Sequence, residues 1–266
     1  MTSYSKNEVL IAVKDVNLSY DKQILRDINF TIHNIVRPGM NQGQVISLIG
    51  RSGIGKTQLF KILAGLIPPN TGTVLVGLEQ QPVKAGQVGI VAQNYILFNH
   101  RTVYDNLRLA MKHDSITLGD KEKDALINDY AAKFDLTEHL KKYPMQLSGG
   151  QRQRASIIQQ VLTGNKFILL DEPFSGLDAL MIDRVMELLL QVSTLDELNT
   201  LVIVSHDVEN SLAISDTAFI LARQKDQEGA TITETLDLIE MGFAWNPAIR
   251  ENEKFQHLVA QIKHKI

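Results

Sequence analysis

Between Glu8 and Ile32 apolar and polar residues alternate, with Val9, Ile11 and Val13 on one face and then Val16, Leu18 and Tyr20. A period of two predicts half-buried antiparallel strands, because successive side chains of a strand point to opposite faces. The pattern then changes to short, almost wholly apolar runs at 45–49, 88–92, 167–170, 201–204 and 218–221. Such runs read as strands buried on both faces. Most are separated by helical stretches, which is the mark of a parallel α/β sheet.

Between about Asn94 and Asn165 the strand pattern stops. Leu126, Tyr130 and Phe134 sit four apart with Ile127 and Ala131 beside them, and Val103, Leu107 and Met111 make a similar stripe. Both predict helices, so this stretch reads as a helical insert. After Gly229 only a short tail is expected. Its Phe255, Leu258, Val259 and Ile262 form an amphipathic helix whose other face carries Lys254, Lys263, His264 and Lys265. Packing against the domain with a solvated polar face is the expected arrangement, ahead of membrane contact. The predicted organisation is one α/β domain over 8–229, with the insert at about 94–165, followed by a tail over 230–266.

Composition narrows the function classes. The chain has 266 residues, 44% apolar and 21% charged, as expected of a soluble globular protein. A net charge of -3 carries no nucleic-acid footprint. Cysteine is absent, which excludes disulfides and thiolate-bound metal. The polar N-terminus does not read as a secretory leader, and no apolar run approaches the roughly 20 residues that span a bilayer.

The chemistry begins at Gly50-Arg51-Ser52-Gly53-Ile54-Gly55-Lys56-Thr57, which fits G-x-x-x-x-G-K-[ST]. A buried strand precedes it and the helical pattern 58–63 follows. Glycines let successive N–H groups turn inward, and the helix N-terminus adds partial positive charge. Lys56 can reach β- and γ-phosphates, and the Thr57 hydroxyl can ligate Mg²⁺. A metal carboxylate should end another buried strand. Asp171, after 167–170, is placed for Mg²⁺, and its neighbour Glu172 for the attacking water.

Leu147-Ser148-Gly149-Gly150-Gln151, in the helical insert just before Asp171, resembles the signature of ABC-type ATPases. The resemblance covers about 9–221. It implies a P-loop NTPase of the ABC ATPase core, with a mixed sheet, an N-terminal antiparallel β subdomain and a helical subdomain insert. It also implies ATP and Mg²⁺ as ligands. Ser148, Gly149, Gly150 and Gln151 would then bind the γ-phosphate held by a second ABC ATPase subunit, identical or related. Tyr20 matches the adenine-stacking aromatic, and Gln93 the glutamine that senses Mg²⁺ and the transport partner. Ser175-Gly176-Leu177-Asp178 matches the loop that crosses to the other subunit, and His206 the switch histidine. Catalysis would fall to Glu172, His206 and Lys56, and the metal to Thr57, Gln93 and Asp171.

Three departures stand out. Gln58, counted with the nucleotide-binding loop, stands where the family commonly has a second hydroxyl residue near the α-phosphate. Gln160 stands where an arginine is frequent, and 35–42 reads as a small loop insertion. None removes a group that hydrolysis needs. The residues around Gln146–Arg154, with 94–98 and 102–107, resemble bacterial importer ATPases. The implied role is powering solute transport through separate integral-membrane permease subunits, from the cytoplasmic face of the membrane. The competing expectations are a soluble assembly ATPase of the iron–sulfur-scaffold type and a nucleic-acid or ribosome-associated protein. Mild acidity and a single nucleotide unit disfavour the latter.

Overall fold

The computed structural model describes residues 4–37, 43–112 and 117–266. Its strands in chain order are β1 Ser5–Ser19, β2 Gln23–Val36, β3 Gln44–Ile49, β4 Thr71–Val76, β5 Gln81–Pro82, β6 Gly89–Val91, β7 Phe167–Asp171, β8 Thr200–Ser205, β9 Thr217–Arg223 and β10 Ala230–Asp237. They form one sheet ordered β5-β4-β1-β2-β10-β9-β3-β8-β7-β6. From β9 through β3, β8 and β7 to β6 every pairing is parallel. At the other end β1, β2, β4 and β5 pair antiparallel. The mixed sheet and the N-terminal antiparallel layer are as the sequence predicts.

All five apolar runs lie on parallel strands or overlap them. β3 and β8 are buried at every position, so both sheet faces are covered there. The N-terminal hairpin is less simple than alternation implied. Leu10 and Ala12 are buried as well as Ile11 and Val13. Register then slips between Val13 and Val16, where Asp15 takes φ 51°, and the inward face moves to Val16 and Leu18. That bulge is why the apolar positions change parity along one strand.

The helices are α1 Lys56–Leu63, α2 Val103–Ala110, α3 Asp120–Lys133, α4 Gly149–Leu162, α5 Ala179–Ser193, α6 Val208–Ile214 and α7 Glu253–Lys265. Among the described residues the stretch 94–165 holds α2, α3 and α4 and no strand. Val103, Leu107, Met111, Ile127 and Phe134 pack with Ile168, Leu170, Leu201 and Ile203 on one side of the sheet. On the other side, Leu59, Ile62 and Leu63 of α1 pack with the antiparallel layer.

The tail needs correcting. β10 is no appendage but an inner strand, antiparallel to β9 and touching β2 in parallel register. Position 229 is therefore the turn of a hairpin. Only the chain beyond β10 lies outside the sheet, and its helix α7 buries Phe255, Val259 and Ile262 against Val208 and Leu212 of α6. Each such side chain stabilises the docking by roughly 1.5–3 kcal/mol.

A buried polar cluster ties that last segment down. Arg37 donates to Asp216 Oδ1 at 2.9 Å while its guanidinium lies 4.0 Å from the Trp245 ring centroid. Trp245 Nε1 donates to the same oxygen at 2.5 Å, and the Val45 amide donates to Oδ2 at 2.8 Å. Burial pushes the Asp216 carboxyl up to about 6 in spite of these partners. Of the expected insertion at 35–42, Ile35 and Val36 belong to β2, and 38–42 lie outside the described residues.

Candidate nucleotide site

The loop 50–57, Gln93, Asp171, Glu172 and His206 lie at the carboxyl ends of the parallel strands β3, β6, β7 and β8, where an open α/β sheet presents its crevice. The loop 50–55 joins β3 to α1. Gly50 has no room for a side chain, since a Cβ there would sit 2.6 Å from the Leu221 carbonyl oxygen. Gly53 and Gly55 take φ 74° and 120°, open to glycine and strained for other residues. α1 carries no side-chain cap and no acid in its first turn, so its leading amides face outward as an anion site. Lys56 is buried and curls back, its Nζ donating to the carbonyls of Gly50 at 2.8 Å and Arg51 at 3.3 Å. Arg51, Ser52 and Thr57 are exposed around this loop, whereas Ile54 is buried beneath it.

β8 lies between β3 and β7, which brings the second half of the site alongside. Asp171 ends β7, and the amide of Glu172 donates to the Val204 carbonyl at 2.8 Å. Glu172 takes φ 49°, an unusual backbone for a glutamate. Its Oε2 accepts from Ser205 Oγ at 2.9 Å, from His206 N at 3.2 Å and from His206 Nδ1 at 2.8 Å. Its Oε1 lies 3.4 Å from Lys56 Nζ. Burial pushes this carboxyl up, but the hydrogen bonds from His206 and Ser205 and the charge of Lys56 outweigh it and hold Glu172 below the usual range. An ionised carboxylate only accepts, so Nδ1 of His206 carries the proton.

Asp171 is shifted the other way. Burial raises it first and the charge of Glu172 adds, with Lys56 opposing. Hence two adjacent carboxylates have different environments, one stabilised as an anion and one waiting for positive charge. A dication suits that place. The Thr57 hydroxyl, the Asp171 carboxylate and the Gln93 amide oxygen are hard oxygen donors of the kind Mg²⁺ takes. Gln93 Nε2 donates to Ser175 Oγ at 3.4 Å, which leaves the amide oxygen for a cation.

Tyr20, just past β1, is 62% exposed and donates its hydroxyl to Gln58 Oε1 at 3.2 Å. The unusual Gln58 thus supports the aromatic ring beside the phosphate loop. Gln160, the other substitution, accepts from the Ile90 amide at 3.1 Å and so pins β6.

The signature stands apart. Ser148 caps α4, its Oγ accepting from Gln151 N at 3.3 Å while its own amide donates to Gln151 Oε1 at 2.9 Å. Gln151 also meets His139 Nε2 at 3.0 Å. Gly150 is covered by α5, since a Cβ there would lie 2.6 Å from Met181 Cε, whereas Gly149 faces open space. Among the described residues no hydrogen bond or ion pair joins 148–151 to 50–57.

Two residues of this region escaped the sequence reading. Ser205 orients Glu172, and only its place before His206 could have signalled it. Asn106, fully buried, donates to the carbonyls of Phe98, Arg101 and Thr102 and accepts from the Phe98 amide, fixing the loop 98–102.

Comparison with known proteins gives the family and the fold. The family model described as ABC transporter matches residues 33–175, just over half the chain. A spermidine/putrescine import ATP-binding protein of Fusobacterium nucleatum is 34% identical over 233 residues, 85% of this chain and 58% of that protein. A bicarbonate transport ATP-binding protein of Synechococcus elongatus is 37% identical over 182 residues, 68% of this chain and 27% of that protein. The chain therefore spans only part of the curated relatives it matches. Among solved structures, CbiO1 of Clostridium perfringens, described as part of the ABC transporter complex CbiONQ, superposes with TM-score 0.75. It is 21% identical and the match covers 97% of this chain and all of that one, which establishes the fold.

Proposed function

This chain belongs to the ABC transporter family, and we propose that it is an ATP-binding and ATP-hydrolysing subunit powering solute transport through separate permease subunits. The observation that carries the chemistry is the Glu172 carboxylate, held ionised by Ser205, His206 and Lys56 beside a phosphate loop. The relatives support the transport role, being named for import and transport.

In this reading the amides at the start of α1 and the Lys56 ammonium bind the β- and γ-phosphates, and Tyr20 stacks on the base. Lys56 leaves the carbonyls of Gly50 and Arg51 for phosphate oxygens, a stronger charge-assisted interaction. Thr57, Asp171 and Gln93 would hold Mg²⁺, which would supply positive charge to neutralise the phosphates. Glu172 accepts a proton from the attacking water, and His206 orients Glu172 and the γ-phosphate. Ser148 and the Gly149 amide make no hydrogen bond to their own loop, and in this reading a second ABC ATPase subunit completes each site. Closing and release of that pair is the two-state motion that permeases would read.

The permease surface we propose is the groove of about 330 Å³ lined by Ile90, Ala92, Ile96, Phe98, Leu109 and Gln159. Ile96 and Phe98 are 71% and 48% exposed, and Asn106 fixes the loop that begins at Phe98. Among the described residues no helix is long and apolar enough to cross a membrane. We place the subunit on the cytoplasmic face, bound through its permeases.

Phosphate release by the purified chain with ATP and Mg²⁺ tests this. Lys56→Ala should lower it by about two orders of magnitude or more, by loss of charge at the transferred phosphate. A wild-type chain that neither binds nor hydrolyses ATP would refute the reading.

A further inference from the structure

The segment after β10 reaches the candidate site by a route that none of the sequence motifs contains. It turns through Ile249–Glu251 before α7, and Ile249 is buried with α6 and α7. Beside it Arg250 forks between two helices. Nη1 donates to Asp183 Oδ1 of α5 at 2.6 Å, and Nη2 donates to Asn210 Oδ1 of α6 at 2.6 Å. These are the helices that follow the loop 175–178 and the switch residue His206, respectively.

From Asn210 the hydrogen bonds continue inward. Asn210 Nδ2 donates to Asp207 Oδ2 at 2.6 Å, and its backbone amide donates to Asp207 Oδ1 at 3.1 Å. Asp207 is thereby held on both carboxylate oxygens. Its own amide donates to Ser205 Oγ at 3.0 Å, and Ser205 Oγ donates to Glu172 Oε2 at 2.9 Å.

Every step has one possible direction. A guanidinium only donates, so the Asn210 oxygen must face Arg250 and its amide nitrogen must face Asp207. The Ser205 oxygen accepts from a backbone amide, so its single proton goes to Glu172. We propose that Arg250 is a positioning residue for Glu172, acting through Asn210, Asp207 and Ser205, so that the C-terminal segment sets the rate of hydrolysis from outside the nucleotide site. The inference rests on Glu172 being the group that activates water.

The physical basis is the geometric demand on a general base. A displacement of about 1 Å can lower a rate by about 100-fold, and supporting hydrogen bonds are what prevent it. Without the guanidinium the Asn210 amide loses the partner that fixes its orientation. Asp207 then keeps only the helix-capping bond, and the first turn of α6, just after Ser205, gains freedom. The tail itself stays docked, since Trp245, Phe255, Val259 and Ile262 hold it independently. A purely structural role for Arg250 would act on stability alone.

The experiment compares steady-state ATP hydrolysis of the full chain as wild type, Arg250→Met, Arg250→Lys, Asn210→Ala and the Arg250→Met/Asn210→Ala pair. Binding of a fluorescent ATP analogue to the wild type is measured first. Arg250→Met should lower kcat roughly three- to tenfold, within the range of coupling through such networks, with KM for ATP within about twofold. Arg250→Lys should recover part of the loss. In the Asn210→Ala background Arg250→Met should lower kcat no further, because the route is already broken.

A fall in melting temperature with unchanged kcat, a change in KM alone, or multiplicative effects of the two substitutions would each overturn the inference and leave the ATPase reading standing. Failure of the wild type to bind and hydrolyse ATP would overturn the reading beneath it.

Discussion

Nδ1 of His206 lies 2.8 Å from Oε2 of Glu172, and the same oxygen takes the His206 amide and the Ser205 hydroxyl. Three donors on one carboxylate oxygen, with Lys56 beside the other, bias Glu172 toward its anion against the opposing effect of burial. That bias makes the acid limb of activity a property of these neighbours. Replacing His206 by alanine removes one of the groups that lower the Glu172 carboxyl, so its titration moves up. The acid limb of kcat for His206→Ala should move to higher pH, with kcat at neutral pH reduced by about 10²-fold or more. A pH profile that extends below the ordinary glutamate range, from about 3.5 to 8, reads both. An acid limb that stays put or moves down contradicts the assignment.

The same bond has a stability sign. The folded-state titration of Glu172 is depressed, so its contribution is present above the ordinary glutamate range and is lost as pH falls through the folded value. The His206→Ala variant should therefore lose less stability than wild type on acidification below pH 5. Thermal melts at two acidic pH values suffice to check it.

Tyr20 offers a test of binding separate from chemistry. Stacking of a base on an aromatic ring contributes about 1–3 kcal/mol. Tyr20→Ala should weaken ATP binding by roughly ten- to a hundredfold while leaving kcat at saturation near wild type. Tyr20→Phe loses only the hydroxyl bonded to Gln58 and should bind nearly as well as wild type. Equal binding by all three would remove Tyr20 from the site.

Arg37 and Asp216 make a prediction about the fold. Loss of one partner of a buried pair costs about 3–5 kcal/mol, because the other charge is left uncompensated. Arg37→Met should push the buried Asp216 carboxyl above its present value of about 6. A raised carboxyl stabilises fully below the unfolded value and loses that contribution as pH rises through the folded one. The gap in melting temperature between wild type and Arg37→Met should consequently widen from pH 4 to pH 8. Adding Asp216→Asn should recover part of it at pH 8. A gap independent of pH would show that Asp216 stays protonated throughout.

Where one physical rule dominates locally, the sequence was readable. The runs at 45–49 and 201–204 are strands covered on both faces, an environment that asks for a short continuous apolar stretch. Gly50 and Gly55 announced a turn that admits no side chain, and the structure gives each the close contact or positive φ that requires it. β10 was hidden because its middle, Thr231 to Thr235, is polar except for Ile232. It is an inner strand only half covered, so it shows neither an apolar run nor a clear stripe. The inward switch of β1 is likewise invisible until Asp15 is seen to bulge.

Long-range polar contacts were beyond reach for a different reason. Asp216 is 179 positions from Arg37 and 29 from Trp245, and nothing in the local composition of any of the three names the others. Arg250 sits in a segment with no motif, yet its partners Asp183 and Asn210 lie in helices that follow residues legible as functional, the loop 175–178 and His206. Family motifs pointed to Glu172 and His206 as separate elements. Ser205, which joins them, is an ordinary serine in every local sense.

In the proposed function one nucleotide is shared between the phosphate loop of one subunit and Ser148 of another. The most direct measurement of that sharing is the solution mass of Glu172→Gln with and without ATP and Mg²⁺. Slowed hydrolysis should trap the closed pair, giving a dimer that forms with ATP and is abolished by Ser148→Arg. A variant that binds ATP yet stays monomeric at every concentration tested, or dimerises equally well with Ser148→Arg, would contradict a shared site between two copies of this chain.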